Sequence, residues 1–398
     1  MSAGCASSPP KLQVQEKLSQ GAFRSEVAPA VQYDVRQAVE LDGVEQKFFV
    51  ALDEVAKSSG KKPLVAELAM QRTANDICRG WPRVGPPASA LLGFVLRNHG
   101  LVEPAPHLMI ADVEPGTEDQ IAAELGHRFK TLLTSNAFAR VGIAVCKEGS
   151  LAQSGGKVVV VLFENSVSFA PFPRVLNLGQ KVQLSLSVAN GYKLVQLVVA
   201  DPYGELAIVS AETFPLVCER RGTYQVEVLA KGRFGREVLA NFPVYCGEQP
   251  PSEIEYEFDR PKLSSVIELE RELVESTNEL RRSAGLRPLK VNEKLVMLAR
   301  EHSKDMLEKN FVGHESPAKG GPVERFRREQ FSFLVLRENV ARSYSVAEAM
   351  MELMNSPVHR QNLLSRDVTE MGVGVAIDRQ DSVPVLLVTQ NFVDPPRR

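Results

Sequence analysis

Neither sign of charge prevails in this sequence: Lys and Arg number 47, Asp and Glu 49, and the formal net charge is −2. That balance excludes, as default readings, a strongly basic nucleic-acid binder and a polybasic membrane-surface protein. Long apolar runs are also missing. The longest, such as Val158–Phe163, are strand-sized, well short of the roughly 18–20 residues that cross a bilayer. The five cysteines form no Cys-x-x-Cys pair, which argues against a structural zinc site built on thiolates. No Gly-x-Ser-x-Gly elbow occurs. What is present is a globular composition, 44% hydrophobic and 24% charged, in 398 residues. At roughly 100–200 residues per domain, that length predicts two to four domains.

Residues 1–10 read MSAGCASSPP and contain no apolar h-region. Ser2-Ala3-Gly4-Cys5, followed by Ser and Pro, resembles the end of a bacterial lipoprotein signal, in which small residues precede an acylated Cys. Ser2 replaces the Leu usual three positions before that Cys. Cys5 is therefore a candidate lipidation site, and the expected location is extracytoplasmic, periplasmic or cell-surface. The alternative is a cytosolic chain with a loose start. The remaining cysteines fall as Cys78 with Cys146 and Cys218 with Cys246, each pair inside one expected domain. In an oxidising compartment either pair can bridge. Otherwise they pack as small buried hydrophobes.

Five segments are expected. Residues 1–30 read as a flexible tether and 31–165 as a first folded domain. Residues 166–248 read as a β-rich module, 249–262 as an acidic, proline-containing linker, and 263–398 as a final domain. In the β-rich module Lys181–Val188 and Thr223–Val228 alternate polar and apolar residues, with turn signals at Asn190-Gly191 and Arg221-Gly222. The pattern resembles a bacterial immunoglobulin-like sandwich and predicts spacing or adhesion. In the final domain Leu263–Ala284 is amphipathic, Asn292 and Ser345 stand at N-cap positions, and strands are expected at Gly372–Ile377 and Val383–Phe392. Helices followed by a short sheet predict α+β layering.

The first domain echoes the last. Gly60-Lys-Lys-Pro63-Leu64 matches Gly285-Leu-Arg-Pro288-Leu289. Asn75-Asp76-Ile77 matches Lys304-Asp305-Met306, Val141–Val145 matches Met371–Val375, and Phe163 matches Phe392, at offsets of 229 or 230. Two copies of one fold flanking the β module are inferred.

Three polar motifs in the last domain are candidates for convergence in a cleft: Gly313-His314-Glu315-Ser316-Pro317, Glu338-Asn339-Val340-Ala341, and Asn355-Ser356-Pro357-Val358-His359-Arg360. Here the sequence resembles the CAP superfamily, or SCP domain, in its bacterial form. Asn278-x-x-Arg281, Gly285-x-x-Pro288-Leu289, Ala299-Arg-Glu-His302 and Asp305-Met306 match the opening helices. The three polar motifs, Gly372-Val373-Gly374-Val375 and Thr389-Gln390-Asn391-Phe392 follow in the family's order. The resemblance covers residues 262–398 and implies a cleft lined by His314, Glu338 and His359. The second Glu of animal members, near position 356, and their His at position 387 are replaced by Ser356 and Leu387, and the family's Trp before Asn-Ser-Pro by Leu353.

Two imidazoles and a carboxylate suit Zn²⁺ or another divalent cation, with His314 and His359 as the ligands. Glu338 is then a third ligand, a base, or the orienting partner of an imidazole. The alternative is a hydrogen-bonded network that only ties the loops together. Ser316 precedes a Pro in a loop and reads as a turn former rather than a nucleophile. His302, on an apolar helix face, reads as a core residue. In the first copy Glu338 maps to Leu108, His314 maps near Val84-Gly85, and the site is lost. The expected architecture is multi-domain α+β: two α/β/α-sandwich CAP-like domains, the first degenerate, flanking an all-β immunoglobulin-like sandwich. The expected function is binding of an extracellular or envelope ligand (small molecule, lipid, glycan or protein) through the His/Glu cleft. The alternatives are a metal-dependent hydrolase of envelope peptide or glycan, with Glu338 as base, and a purely adhesive protein. No nucleic-acid partner is expected, and membrane contact only through a lipid anchor.

Overall fold

The computed structural model describes residues 19–81, 87–134, 136–147, 156–210, 213–258, 265–379 and 384–396. Cys5, Val84 and Gly85 lie outside the described residues.

The chain begins with β1 (Ser19–Phe23) and β2 (Gln32–Tyr33). It continues through α1 (Gly43–Ser58), β3 (Val65–Ala66), α2 (Leu68–Gly80), α3 (Ser89–Asn98), β4 (His107–Val113), α4 (Glu118–Leu132), β5 (Phe138–Lys147) and β6 (Gly156–Glu164). One sheet has the order β3-β5-β6-β4, with β3 and β5 parallel and the other pairs antiparallel. Phe48, Leu52, Leu125 and Phe129 of α1 and α4 pack on one face, and Met70, Ile77, Leu91 and Val95 of α2 and α3 on the other. Helices on both faces explain why Val158–Phe163 of β6 is continuously apolar rather than alternating.

Next come β7 (Val167–Phe169), β8 (Phe172–Pro173), β9 (Val175–Leu176), β10 (Lys181–Val188), β11 (Lys193–Ala200), β12 (Leu206–Val209), β13 (Thr213–Val217), β14 (Gly222–Gly232), β15 (Gly235–Cys246) and β16 (Ile254–Phe258). Two sheets, β13-β10-β7 and β12-β11-β14-β15-β9, enclose a core of inward residues such as Leu184, Leu197, Val226 and Phe242. Cys218, just after β13, is disulfide-bonded to Cys246 of β15, and Cys78 of α2 to Cys146 of β5.

The last segment runs α5 (Val266–Ser283), β17 (Lys290–Val291), α6 (Glu293–Glu308), α7 (Pro322–Arg328), β18 (Val335–Ser343), α8 (Val346–Asn355), α9 (Pro357–Leu363), β19 (Glu370–Asp378) and β20 (Val385–Asp394). Ser265 and Glu268 form a reciprocal capping box at the start of α5, and Asn292 and Ser345 cap α6 and α8. The sheet order β17-β19-β20-β18 repeats that of β3-β5-β6-β4, parallel and antiparallel pairs included. The close helix–strand approach is also repeated. A Cβ on Gly142 would enter the backbone of α2 at Met70–Gln71, and one on Gly372 the backbone of α6 at Leu295–Val296.

These contacts correct the sequence alignment of the copies. Met70 corresponds to Leu295, an offset of 225 that covers the whole of α2, so Asn75-Asp76-Ile77 is not the counterpart of Lys304-Asp305-Met306. Ladder register pairs Val141 with Leu162 and Met371 with Phe392, so Leu162, not Phe163, corresponds to Phe392 at an offset of 230. A one-residue slip moves a side chain to the opposite sheet face. Phe163 indeed joins the core under α2, while Leu162 joins that under α1. The five-residue difference between offsets of 225 and 230 is taken up by α6, which runs three residues further than α2, and by β18, which starts two residues earlier than β4.

Two segments differ from expectation. The tether expected over 1–30 includes β1, and the linker expected over 249–262 contributes β16. β16 pairs antiparallel with β1, and Phe23, Ile254 and Tyr256 pack with Phe94 and Trp81. Ile254 and Tyr256 alternate with glutamates, a period-two pattern that gives this acidic stretch one apolar face.

Candidate functional site

Gly313, His314, Glu315 and Ser316 form the turn after α6. Ser316 and Gly320 exchange both backbone hydrogen bonds at 3.0 Å, and the Ser316 hydroxyl accepts from the Ala318 and Lys319 N–H groups. That hydroxyl is committed to the turn, as its sequence context suggests. His302 is buried on α6. Its Nε2 lies 2.9 Å from the Gly313 carbonyl, burial lowers its pKa to about 4, and its Nδ1 has no partner among the described residues.

Glu338 projects from β18, an edge strand of the sheet, paired with Asn391. One carboxylate oxygen lies 2.9 Å from His314 Nδ1, and the other accepts from the Arg325 guanidinium. Burial pushes the carboxyl's pKa up, but Arg325 and the His314 hydrogen bond outweigh it and hold the value at about 2. Arg325, on α7, also donates to the His314 carbonyl at 2.7 Å. It thus braces both the carboxylate and the turn.

His359 lies in the first turn of α9. Pro357 opens this helix, and the Ser356 hydroxyl accepts from the His359 N–H at 3.3 Å. Asn362 donates to the Glu338 carbonyl at 3.2 Å and to Asn339 Oδ1 at 2.9 Å, tying α9 to β18. The His314 and His359 ring centroids are 6.5 Å apart. Burial first, then repulsion from His314, lowers the His359 pKa to about 3, so the ring is neutral.

His314, Glu338 and His359 all line one cavity of about 1180 Å³. It lies between the parts of the chain: Leu92 and Phe94 of α3, Leu229 of β14 and Met351 of α8 also line it. The donor set fits a pair of imidazoles rather than a three-ligand metal centre. Both Glu338 oxygens are engaged, and no group of three His, Cys, Asp or Glu among the described residues is placed to hold a metal ion. Glu338 takes the orienting role: it holds His314 by Nδ1 and leaves Nε2 without a hydrogen-bond partner among the described residues.

A model of the "CAP: Cysteine-rich secretory protein family" matches residues 274–392. Residues 274–392 are a CAP domain. "Uncharacterized protein YkwD" of Bacillus subtilis (strain 168) is 38% identical over 112 residues, 28% of this chain and 44% of that protein. "Uncharacterized membrane protein YlbC" of the same organism is 34% identical over 125 residues, 31% of this chain and 34% of that protein. The chain thus spans less than half the length of these curated relatives. Among solved structures, an extracellular SCP-domain protein of Bacillus anthracis shares 23% identity over 44% of this chain and 65% of that one, with a TM-score of 0.30.

Among the described residues of the first copy, the counterpart of the cleft carboxylate is missing. Ladder register places Leu108 where the CAP domain has Glu338. Sequence reasoning missed Arg325 and Glu227. The second Glu that animal members of the family carry near position 356 is Ser356 here. Instead Glu227 of β14 reaches Ser356 from the β module, accepting the Ser356 hydroxyl's hydrogen bond. Burial raises Glu227 to about 7.

Proposed function

We propose that the chain is an extracytoplasmic envelope protein that binds a ligand in the CAP-domain cleft through His314 and His359. The observation that carries this reading is the pair of imidazoles on one wide cavity, braced by an ionised glutamate that is itself fully hydrogen-bonded. Neutral imidazoles are the form that binds a divalent cation. Zn²⁺ is the cation the donor types suit, with His314 and His359 as ligands and Glu338 behind His314. Bound there, it would polarise a ligand oxygen. A small molecule, lipid headgroup, glycan or peptide remains the range of ligands proposed. The β module is read as immunoglobulin-like, on its two facing sheets and the Cys218–Cys246 bridge.

The hydrolase reading with Glu338 as base is the weaker one. A carboxylate held at about 2 has little affinity for a proton near neutrality. An extracytoplasmic location accords with the two disulfides. No helix among the described residues is long and apolar enough to cross a membrane. Lipidation at Cys5 remains part of the proposal. Zinc titration calorimetry of the full chain, beside the His314→Ala/His359→Ala variant, tests the binding role. One-site binding that vanishes in the variant supports it. Equal heats in both proteins reject the histidine pair as the site.

A further inference from the structure

Both cleft histidines are carried on turns, and both turns are held by one hairpin of the β module. Alternation along β14 turns Tyr224, Val226, Val228 and Ala230 into the β-module core. Gln225, Glu227 and Leu229 therefore lie on the opposite face, where Glu227 meets Ser356 of the CAP domain and Gln225 and Leu229 line the cavity. Glu227 is fully buried there although it belongs to the outer face of its own sheet.

At one end of the hairpin the contacts converge on residues 355–358, immediately before His359. Asn241 of β15, the cross-strand partner of Glu227, donates its side-chain amide to the Asn355 carbonyl at 3.1 Å. Gln225 donates to Asn241 Oδ1, which sets the orientation of that amide. The Ser356 hydroxyl donates to Glu227 Oε1 and at the same time accepts from the His359 N–H. Glu227 is thus one hydroxyl away from the His359 backbone. Its second oxygen is buried without a hydrogen-bond partner among the described residues.

The other end of the hairpin meets the His314 turn. The Phe234 carbonyl accepts from the Glu315 N–H at 2.8 Å, and Lys231 pairs with the Glu315 carboxylate at 2.8 Å. The Phe234 ring lies 5.0 Å from that of Phe311, centroid to centroid. Gly313 permits this approach, because a Cβ there would enter the Phe234 backbone.

We propose that the β14–β15 hairpin is a positioning element of the CAP cleft, with Glu227 and Asn241 fixing the His359 turn and Lys231 and Phe234 fixing the His314 turn. The β module is then part of the binding site rather than a spacer. The separation of the two imidazoles is set from outside the CAP domain. The proposal rests on the binding role of the cleft and names what that binding requires. Its consequence is that the CAP domain cut away from the β module loses the arrangement of its histidines.

The test uses the full chain, with Zn²⁺ as the probe and proton–carbon spectra of the His302, His314 and His359 imidazoles as a second readout. Glu227→Ala/Asn241→Ala should weaken zinc binding about 10- to 100-fold, the range typical of lost outer-shell support. The His359 signals should move while those of His302, buried under the other end of the hairpin, stay in place. Glu227→Gln keeps a carbonyl acceptor for Ser356 and should restore both readouts. A purely structural contact would lower the melting temperature without that residue-specific pattern. Unchanged His359 signals and affinity in the double variant overturn the proposal, as does a shift that Glu227→Gln fails to correct. If the wild-type chain binds no zinc, the zinc-binding reading of the cleft falls on its own, and the imidazole signals still decide the positioning role. Where the double variant does not fold, Asn241→Ala alone is put through the same spectra.

Discussion

Arg325→Met is the substitution that isolates the electrostatics of the cleft. The Arg325 and Glu338 side chains are 5% and 2% exposed, so the pair is buried on both sides. Arg325 and His314 hold Glu338 at about 2, against an ordinary value of 4.5. At ~1.4 kcal/mol per unit, that depression is worth about 3 kcal/mol of folding stability. The sign follows from its direction. The contribution is present above about pH 4.5 and is lost as pH falls through about 2. Methionine fills much of the arginine's volume but leaves the carboxylate buried with only His314 to offset its desolvation, a change that costs about 3–5 kcal/mol for a broken buried pair. Burial then wins, and the Glu338 pKa rises above the ordinary value. Above the unfolded value the carboxyl now penalises folding, and protonation relieves the penalty. The deficit of the variant should therefore be largest at pH 7 and shrink toward pH 4. Native-state hydrogen exchange of the β18–β20 amides is the suitable assay, because several cores in one chain need not unfold together. A deficit below about 1 kcal/mol at pH 7, or one equal at pH 7 and pH 4, would refute the reasoning.

Three further outcomes are expected. Gly372→Ala places a methyl inside the α6 backbone and should cost at least the 1–3 kcal/mol usual for overpacking, read as a lower melting temperature of the CAP domain. Glu227 is raised by burial from 4.5 to about 7, so its contribution to stability is full below about pH 4.5 and falls as pH rises through 7, by about 3 kcal/mol in all. Glu227→Gln should flatten the melting temperature between pH 5 and 8, and an unchanged slope would show that another group is responsible. The Cys78–Cys146 and Cys218–Cys246 bridges close loops with separations of 68 and 28 residues, each worth about 4 kcal/mol by chain entropy. Thiol titration of the denatured, unreduced chain should find a single reactive cysteine, Cys5, in unlipidated protein and none where Cys5 carries a lipid, and reductant should lower the melting temperature.

The histidines and Glu338 were legible in the sequence because each sits in a short polar motif whose neighbours have local jobs. Ser316 closes the His314 turn, Pro357 and Ser356 start the His359 helix, and Asn339 and Asn362 join the two strand–helix segments. Arg325 was not legible. It stands in Pro-Val-Glu-Arg-Phe-Arg-Arg, where three arginines look alike, and only tertiary packing buries the first of them under the cleft. Glu227 was hidden more thoroughly. In Thr-Tyr-Gln-Val-Glu-Val it occupies a polar position of a period-two strand, which marks the outer face of a sheet. Periodicity tells which face is turned away from a strand's own core. It carries no information on whether a second domain covers that face.

The two layered copies show which differences make a cleft. They share strand order, register and the glycine that lets the second helix lie on the sheet, so the scaffold itself does not decide the matter. Leu108 in place of Glu338 removes the acceptor that orients an imidazole. In the CAP domain the turn that presents His314 also meets the hairpin tip, where the Phe234 carbonyl accepts from the Glu315 N–H. The first copy instead lends α3 to the wall of the same cavity. On this account two units with the same sheet order divide the labour: the CAP domain carries the polar side chains, and the other unit, with the β module between them, helps enclose the space those side chains face.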